Sequence, residues 1–156
     1  MKVLGIDPGI TGGYALLNGR ELTYCDDLPI VKIGTANMIE PRALADVIDY
    51  LNPHHIVIED NKANGGNGSL ANFSMGSSMG VICGVVGTLG YPLIRVRPID
   101  WKRAVGIGTV KGTANERKEA GRQRAIELWP TNGFFKRKKD HNRAEAALIA
   151  EWYRRT

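Results

Sequence analysis

Three carboxylates stand where this chain otherwise keeps apolar side chains. Asp7 closes the run KVLGID, Glu59 closes the apolar run HHIVIE, and Glu145 is embedded among Ala144, Ala146, Ala147, Leu148 and Ile149. A carboxylate taken out of water needs compensation from turn N–H groups, a basic side chain or a cation. If the two strands are neighbours, Asp7 and Glu59 share one sheet edge and repel each other, and a divalent cation between them relieves the repulsion. An all-oxygen donor set favours Mg²⁺ or Mn²⁺. The alternative is an acid that caps the N–H groups of the Pro8-Gly9 turn. Ahead of Glu145 the run KDHNR offers a further polar group. On a regular helix His141 and Asn142 share the face of Glu145, whereas Asp140 lies about 140° round and is placed to cap the helix.

Several elements must position these groups. Runs 2–7, 13–18 and 21–29 are strand-like and separated by Gly- or Asn-containing turns, which predicts an antiparallel meander. Residues 40–51 place Leu44, Val47, Ile48 and Leu51 at helical spacing, with Pro41 in the first turn. A short strand over 54–60 follows, then a long helix over 71–88, a strand over 92–98, and helices over 114–129 and 142–154. The order βββαβαβαα predicts an α/β fold, a mixed sheet covered by helices on both faces, in a single domain over 1–156. The stretch NKANGGNGSL at 61–70 reads as a surface loop and lacks the Gly-Lys-Ser/Thr of a phosphate-binding loop, so no nucleotide cofactor is expected. Gly76, Gly80 and Gly84 form a smooth stripe along the long helix, for close approach of either its own sheet or another helix.

A chain of 156 residues, 43% hydrophobic and 24% charged, suits one domain with a real core. Its charge is uneven: residues 1–94 carry 5 Lys and Arg against 9 Asp and Glu, and residues 95–156 carry 16 against 7. A basic second half points to a polyanionic partner. Cys25 and Cys83 show no zinc-type spacing and read as reduced thiols of a cytoplasmic protein. Neither a signal peptide nor a membrane span is expected, because the most apolar stretch, 79–94, is broken by four glycines and a proline.

GIDPG near the start, an apolar strand ending in Glu, VGIG followed by a Lys, and DHNRAEAALIA near the end together carry a family pattern. The combination resembles the RuvC-type Holliday-junction resolvases, particularly their phage and prophage versions, over nearly the whole chain. The resemblance implies an RNase H-like fold, a homodimer in a bacterial or phage-infected cell, and Mg²⁺-dependent cleavage of four-way DNA junctions by paired symmetric nicks. It implies two ions per active site, with Mn²⁺ able to substitute. Asp7 would bridge the ions, Glu59 and Glu145 would hold one side each, and a fourth group would come from Asp140, His141 or Asn142. His141 leads Asp140 on helix geometry, as a ligand or as a general base. Lys102 and Lys111 in WKRAVGIGTVKG match the family's DNA-contacting region, and Arg103, Arg117, Lys118, Lys136, Arg137, Lys138 and Lys139 extend the track. One departure stands out. Cellular members carry a junction-wedging aromatic a few residues after the second acid, where this chain has Asn61, Lys62, Ala63 and Asn64; Phe73 is the nearest aromatic and fits a core position. The other readings are an RNase H-like nuclease acting on RNA or unbranched DNA, and a nucleic-acid-binding module without chemistry. An actin-like ATPase would need two such domains.

Overall fold

The computed structural model describes residues 1–61, 66, 68–108 and 111–156. Five strands form the main sheet in the order β3-β2-β1-β6-β7: β1 (Lys2–Asp7), β2 (Gly13–Asn18), β3 (Glu21–Asp27), β6 (His55–Glu59) and β7 (Leu93–Val96). The first three make the expected antiparallel meander, and β6 and β7 join parallel to β1. Between them run β4 (Ile30–Ile33), β5 (Ala36–Ile39), α1 (Pro41–Leu51) and α2 (Ser69–Leu89). After β7 come α3 (Pro98–Ala104), α4 (Ala114–Leu128), a 3-10 turn at Lys138–Asp140 and α5 (His141–Arg155).

Side-chain alternation along β1 and β6 decides where everything else goes. Leu4, Ile6, Ile56 and Ile58 point to one face, where Leu44 and Ile48 of α1 and Ile82 and Val86 of α2 cover them. Val3 and Val57 point to the other, against Trp101 of α3, Ala125 of α4 and the Ala144–Ala150 segment of α5. The sheet is thus covered on both faces, as the element order predicted. Continuing the alternation, Asp7 and Glu59 fall on the α5 face. The parallel register that pairs Val3 with His55 and Ile6 with Ile58 brings the two acids level at the end of their strands.

The approach of α5 to β1 is made at backbone distance. Gly5 lies under Ala146 and Ala150, and a Cβ on it would overlap the Ala146 carbonyl oxygen and meet the Ala150 backbone nitrogen at 2.7 Å. No other residue type fits. A second glycine, Gly13 of β2, lies beneath Arg143, where an added Cβ would stand 3.0 Å from the Arg143 Cα.

Two elements depart from the sequence expectation. The hairpin β4–β5 turns at Gly34, whose φ of +61° is left-handed, and each strand is four residues long with Ile30 and Ile33 exposed, so it gives no apolar alternation to read. Helix α3 is only seven residues and starts on Pro98, too short for a periodic signal. The meander strand β3 also stops at Asp27, two residues early, because Pro29 follows.

Helix α2 buries only a narrow stripe, Ser78, Ile82 and Val86. Its glycines are not packed on the sheet: a Cβ at Gly76, Gly80, Gly84 or Gly87 would meet nothing within 4 Å. Phe73 is 75% exposed rather than a core residue, and Leu70 is exposed beside it. By length and composition alone α2 could cross a membrane, with 21 residues and an 18-residue window of mean hydropathy 1.4. Its Ile82 and Val86 side chains are nevertheless sealed against the sheet.

Gly5→Ala should destabilise the fold at or above the upper end of the roughly 1–3 kcal/mol typical of overpacking, because the clash is with backbone that no rotamer change relieves. Urea denaturation reads it as a lowered midpoint. A midpoint equal to the wild type would show that α5 does not ride on Gly5.

Candidate active site

Asp7 ends β1 immediately before a tight turn in which the Gly12 N–H donates to the Gly9 carbonyl at 2.8 Å. Gly12 is required there, since a Cβ would overlap the Asp7 carbonyl oxygen. The turn does not cap the acid: among the described residues no hydrogen bond ends on the Asp7 carboxylate, which removes the alternative raised by the sequence. Burial, and then the charges of Glu145 and Glu59, raise its pKa well above the usual carboxylate range, and the ammonium groups of Lys102 and Lys118 oppose the rise.

Glu59 ends β6 and is 6% exposed. Its Oε2 accepts a hydrogen bond of 2.5 Å from the indole Nε1 of Trp101, a fully buried residue of α3. Glu145 projects from α5 toward α4 and lies beside Gly121, where an added Cβ would stand 3.7 Å from the Glu145 Cγ. Burial raises the pKa of Glu145, Lys102 lowers it, Glu59 raises it again, and His141 and Lys118 lower it. Asp7 thus feels both other acids and Glu145 feels Glu59, and two lysines from α3 and α4 act on Asp7 and Glu145 alike.

The structure separates the candidates for the fourth position. His141 opens α5 and its charge acts on Glu145. Its Nδ1 lies 3.1 Å from the Lys138 carbonyl. A carbonyl accepts only, so the proton belongs on Nδ1 and the lone pair of the neutral ring is on Nε2. Asp140 is buried but taken: Arg137 donates to it from its backbone N at 2.8 Å, from Nε at 3.0 Å and from Nη2 at 2.7 Å. Burial alone would raise its pKa, yet these bonds hold it below the usual range. The expected cap of α5 is absent, since the Asp140 side chain makes no bond to the helix N–H groups and closes the 3-10 turn instead. Asn142 is also engaged, donating from Nδ2 to the carbonyl and hydroxyl oxygens of Thr11 in the β1–β2 turn. Beside it Arg143 pairs with Asp26 at 2.8 Å and Asp27 at 2.6 Å at the end of β3. The N-terminal turn of α5, which carries His141 and Glu145, is thereby tied to the strand ends that frame Asp7.

The expected basic track divides. Lys118, Lys138 and Lys139 line one cavity of about 610 Å³ together with His141, Glu116 and Glu119. Lys102 stands over the Trp101 ring, 5.0 Å from its centroid, and acts on Asp7 and Glu145. Arg137 is committed to Asp140, and Arg117 to the Gly112 carbonyl at 2.8 Å. Arg103, Lys111 and Lys136 are exposed on the surface. Lys62, Ala63 and Asn64, which stand where cellular resolvases carry their wedge, lie outside the described residues.

The carboxylate oxygens suit hard divalent cations, and the repulsion that Glu145 and Glu59 exert on Asp7 is what a cation would relieve. Among the described residues no three His, Cys, Asp or Glu side chains converge tightly enough to hold one ion as they stand. Mg²⁺ asks for less, being held by one or two carboxylates with water and substrate phosphate completing its shell. Trp101, Gly121 and the bond from Asn142 to Thr11 are parts of the site that the sequence does not announce. Their partners are 42, 24 and 131 residues away along the chain, beyond the reach of any local pattern.

No family model and no curated relative matches the sequence. Solved structures do match in shape. Thermus thermophilus RuvC in complex with a Holliday junction substrate superposes with a TM-score of 0.70 at 16% identity, over 99% of this chain and 95% of that one. RuvC of the same organism, in a second structure, gives 0.62 at 15% identity, over 99% and 96%. The yeast mitochondrial Holliday junction resolvase Ydc2 gives 0.56 at 19% identity, over 98% and 77%. The chain has the RNase H-like fold of these proteins from end to end.

Because the folded, metal-free protein holds protons on Asp7 and Glu145 that the unfolded chain has released, its stability should fall as pH rises from the ordinary carboxylate range through their raised values. Asp7→Asn removes one of these acids and should raise Tm at pH 7 in EDTA. The gain is about 1.4 kcal/mol for every tenfold by which burial and repulsion weaken the acid, at roughly 2–4 °C per kcal/mol for a chain of this size. Near pH 4 the two melting temperatures should converge. A lower Tm for Asp7→Asn at pH 7 would contradict the repulsion described here.

Proposed function

We propose that the protein is a Mg²⁺-dependent endonuclease that resolves Holliday junctions and related branched DNA by paired symmetric nicks, in the cytoplasm of a bacterial or phage-infected cell. The observation that carries this reading is the convergence of Asp7, Glu59 and Glu145 at one end of one face of the sheet, with the charges of Glu145 and Glu59 weakening Asp7 as an acid, beside a cavity lined by Lys118, Lys138 and Lys139. Support also comes from the fold, shared over 99% of the chain with a resolvase solved on its junction substrate.

Each residue has work to do in phosphodiester hydrolysis. Asp7, Glu59 and Glu145 are the groups that would hold divalent cations, with Mn²⁺ able to replace Mg²⁺. Two such ions, when bound, supply an acidified water and offset the charge building on the phosphate. The cavity lysines hold the strand by its phosphates, and Lys102 and Lys118 keep the acid group from being purely anionic. His141 presents Nε2 as an acceptor next to Glu145, where it either ligates or takes the proton of the attacking water. No Ser or Cys nucleophile is called for.

Paired nicks require two sites, and the exposed face of α2 offers the means of bringing them together. Gly80, Val81, Gly84, Val85 and Leu89 line an apolar groove of about 330 Å³ against Pro41 and Ala45 of α1. Glycines facing open space in a helix are costly, at roughly 1 kcal/mol each. A second copy of α2 seated on them at backbone distance recovers that cost, which gives a homodimer with self-complementary faces.

Incubation of labelled four-way junction, linear duplex and structured RNA with Mg²⁺ or EDTA tests the activity directly. Cutting should be confined to branched DNA and require the metal; equal cutting of RNA or linear duplex would replace this reading with a general RNase H-like nuclease. Asp7→Asn and Glu59→Gln should each lose at least about nine-tenths of the cleavage rate while junction binding persists, because phosphate contacts supply most of the affinity. His141→Ala should lower the rate by roughly 10²-fold or more, as loss of a proton acceptor does. For assembly, sedimentation should show a dimer at micromolar concentration that Gly80→Leu dissociates, and a monomeric wild type would remove α2 as the interface.

A further inference from the structure

Trp101 is completely buried, and a buried indole still carries an N–H that needs an acceptor. Its acceptor is Oε2 of Glu59, one of the three acids, and the bond is short at 2.5 Å. A carboxylate has two oxygens with two acceptor directions each. The bond to Oε2 restrains the rotation of the Glu59 carboxylate, and among the described residues no hydrogen bond ends on Oε1. The ring cannot yield easily, because the helix that carries it is anchored to its neighbours. At its end Arg155 donates to the Ala104 carbonyl at 3.0 Å and Arg124 to the Val105 carbonyl at 2.7 Å. Lys102 lies over the ring face, and a cation there draws electron density from the indole and sharpens its N–H as a donor.

We infer that Trp101 is a positioning residue for Glu59: its N–H holds Oε2 so that Oε1 is presented to a divalent cation. The inference rests on the metal-dependent reading of the acid group and goes beyond it in assigning to a core tryptophan the orientation of one ligand. A tryptophan that only fills space would be replaced well by phenylalanine, which keeps an aromatic ring and lacks the donor. The two roles therefore separate in metal affinity rather than in folding.

Mn²⁺ titration followed by electron paramagnetic resonance, on wild type and Trp101→Phe, should show half-saturation rising roughly 10- to 100-fold in the variant, the range seen when a hydrogen-bond partner of a metal ligand is lost. Junction binding in EDTA should be the same for both proteins. In ¹⁵N-labelled wild type, Mg²⁺ should shift the Trp101 indole N–H resonance. The resonances of Trp152 and of Trp129, which donates to the Arg20 carbonyl instead, should stay in place. Equal Mn²⁺ affinity in the two proteins, or a Trp101 resonance that ignores Mg²⁺, would overturn the assignment while leaving the metal site intact. Wild type that binds neither ion would overturn the metal reading and the assignment with it. If Trp101→Phe does not fold, the wild-type resonance decides the matter alone.

Discussion

The backbone contact between β1 and α5 is the constraint on which the rest of the molecule depends. A strand and a helix normally stand apart by the thickness of their side chains. Here Gly5 removes one side chain, and Ala146 and Ala150 reduce the other to methyl groups, so α5 lies flush on the middle strand of the sheet. Gly13 extends the seam onto β2 beneath Arg143. With α5 this low, Glu145 shares the space at the strand ends with Asp7 and Glu59. Gly121 of α4 lies beside it, where an added Cβ would make ordinary van der Waals contact with the Glu145 Cγ at 3.7 Å.

That closeness has an electrostatic consequence. Glu145 and Glu59 oppose the ionisation of Asp7, Glu59 opposes that of Glu145, and Lys102 and Lys118 offset this only in part. Everywhere else the fold pairs its buried charges locally: Asp140 with Arg137, Glu151 with Arg154 and Arg155, Arg122 with Glu119. Clasps of that kind satisfy the structure. The acid group is left unsatisfied in the place where a ligand of opposite charge would complete it, which is the usual trade of stability for function.

The distinction also explains how much the sequence makes legible. Asp7, Glu59 and Glu145 are visible because each interrupts an apolar run, and the strands that carry Asp7 and Glu59 are visible for the same apolar continuity. Helix α1 is legible from Leu44, Ile48 and Leu51, and its start from Pro41, although Glu40 proves to be the cap that accepts from Arg42 and Ala43. Exposed or short elements give no such signal, hence the missed β4–β5 hairpin and α3. Helix geometry misplaces Asp140 because a 3-10 turn, not the first turn of α5, sets its position, and Arg137 three residues earlier is the donor it meets. The bond from Trp101 to Glu59 joins β6 to α3 across the core, and no spacing rule reaches that far.

The parallel pairing of β1 with β6 bears on how the molecule comes to be competent. Val3 must find His55, and Ile6 must find Ile58, across a meander, a hairpin and a helix. Contacts so remote in sequence form late, after the entropy of closing the intervening loop has been met. The basic residues need no such closure, since 16 of the 21 lie within residues 95–156, much of it locally helical. Until β6 docks, the basic second half is in place while Glu59 stands apart from Asp7, so the pairing of the central strands is the step that assembles the acid group.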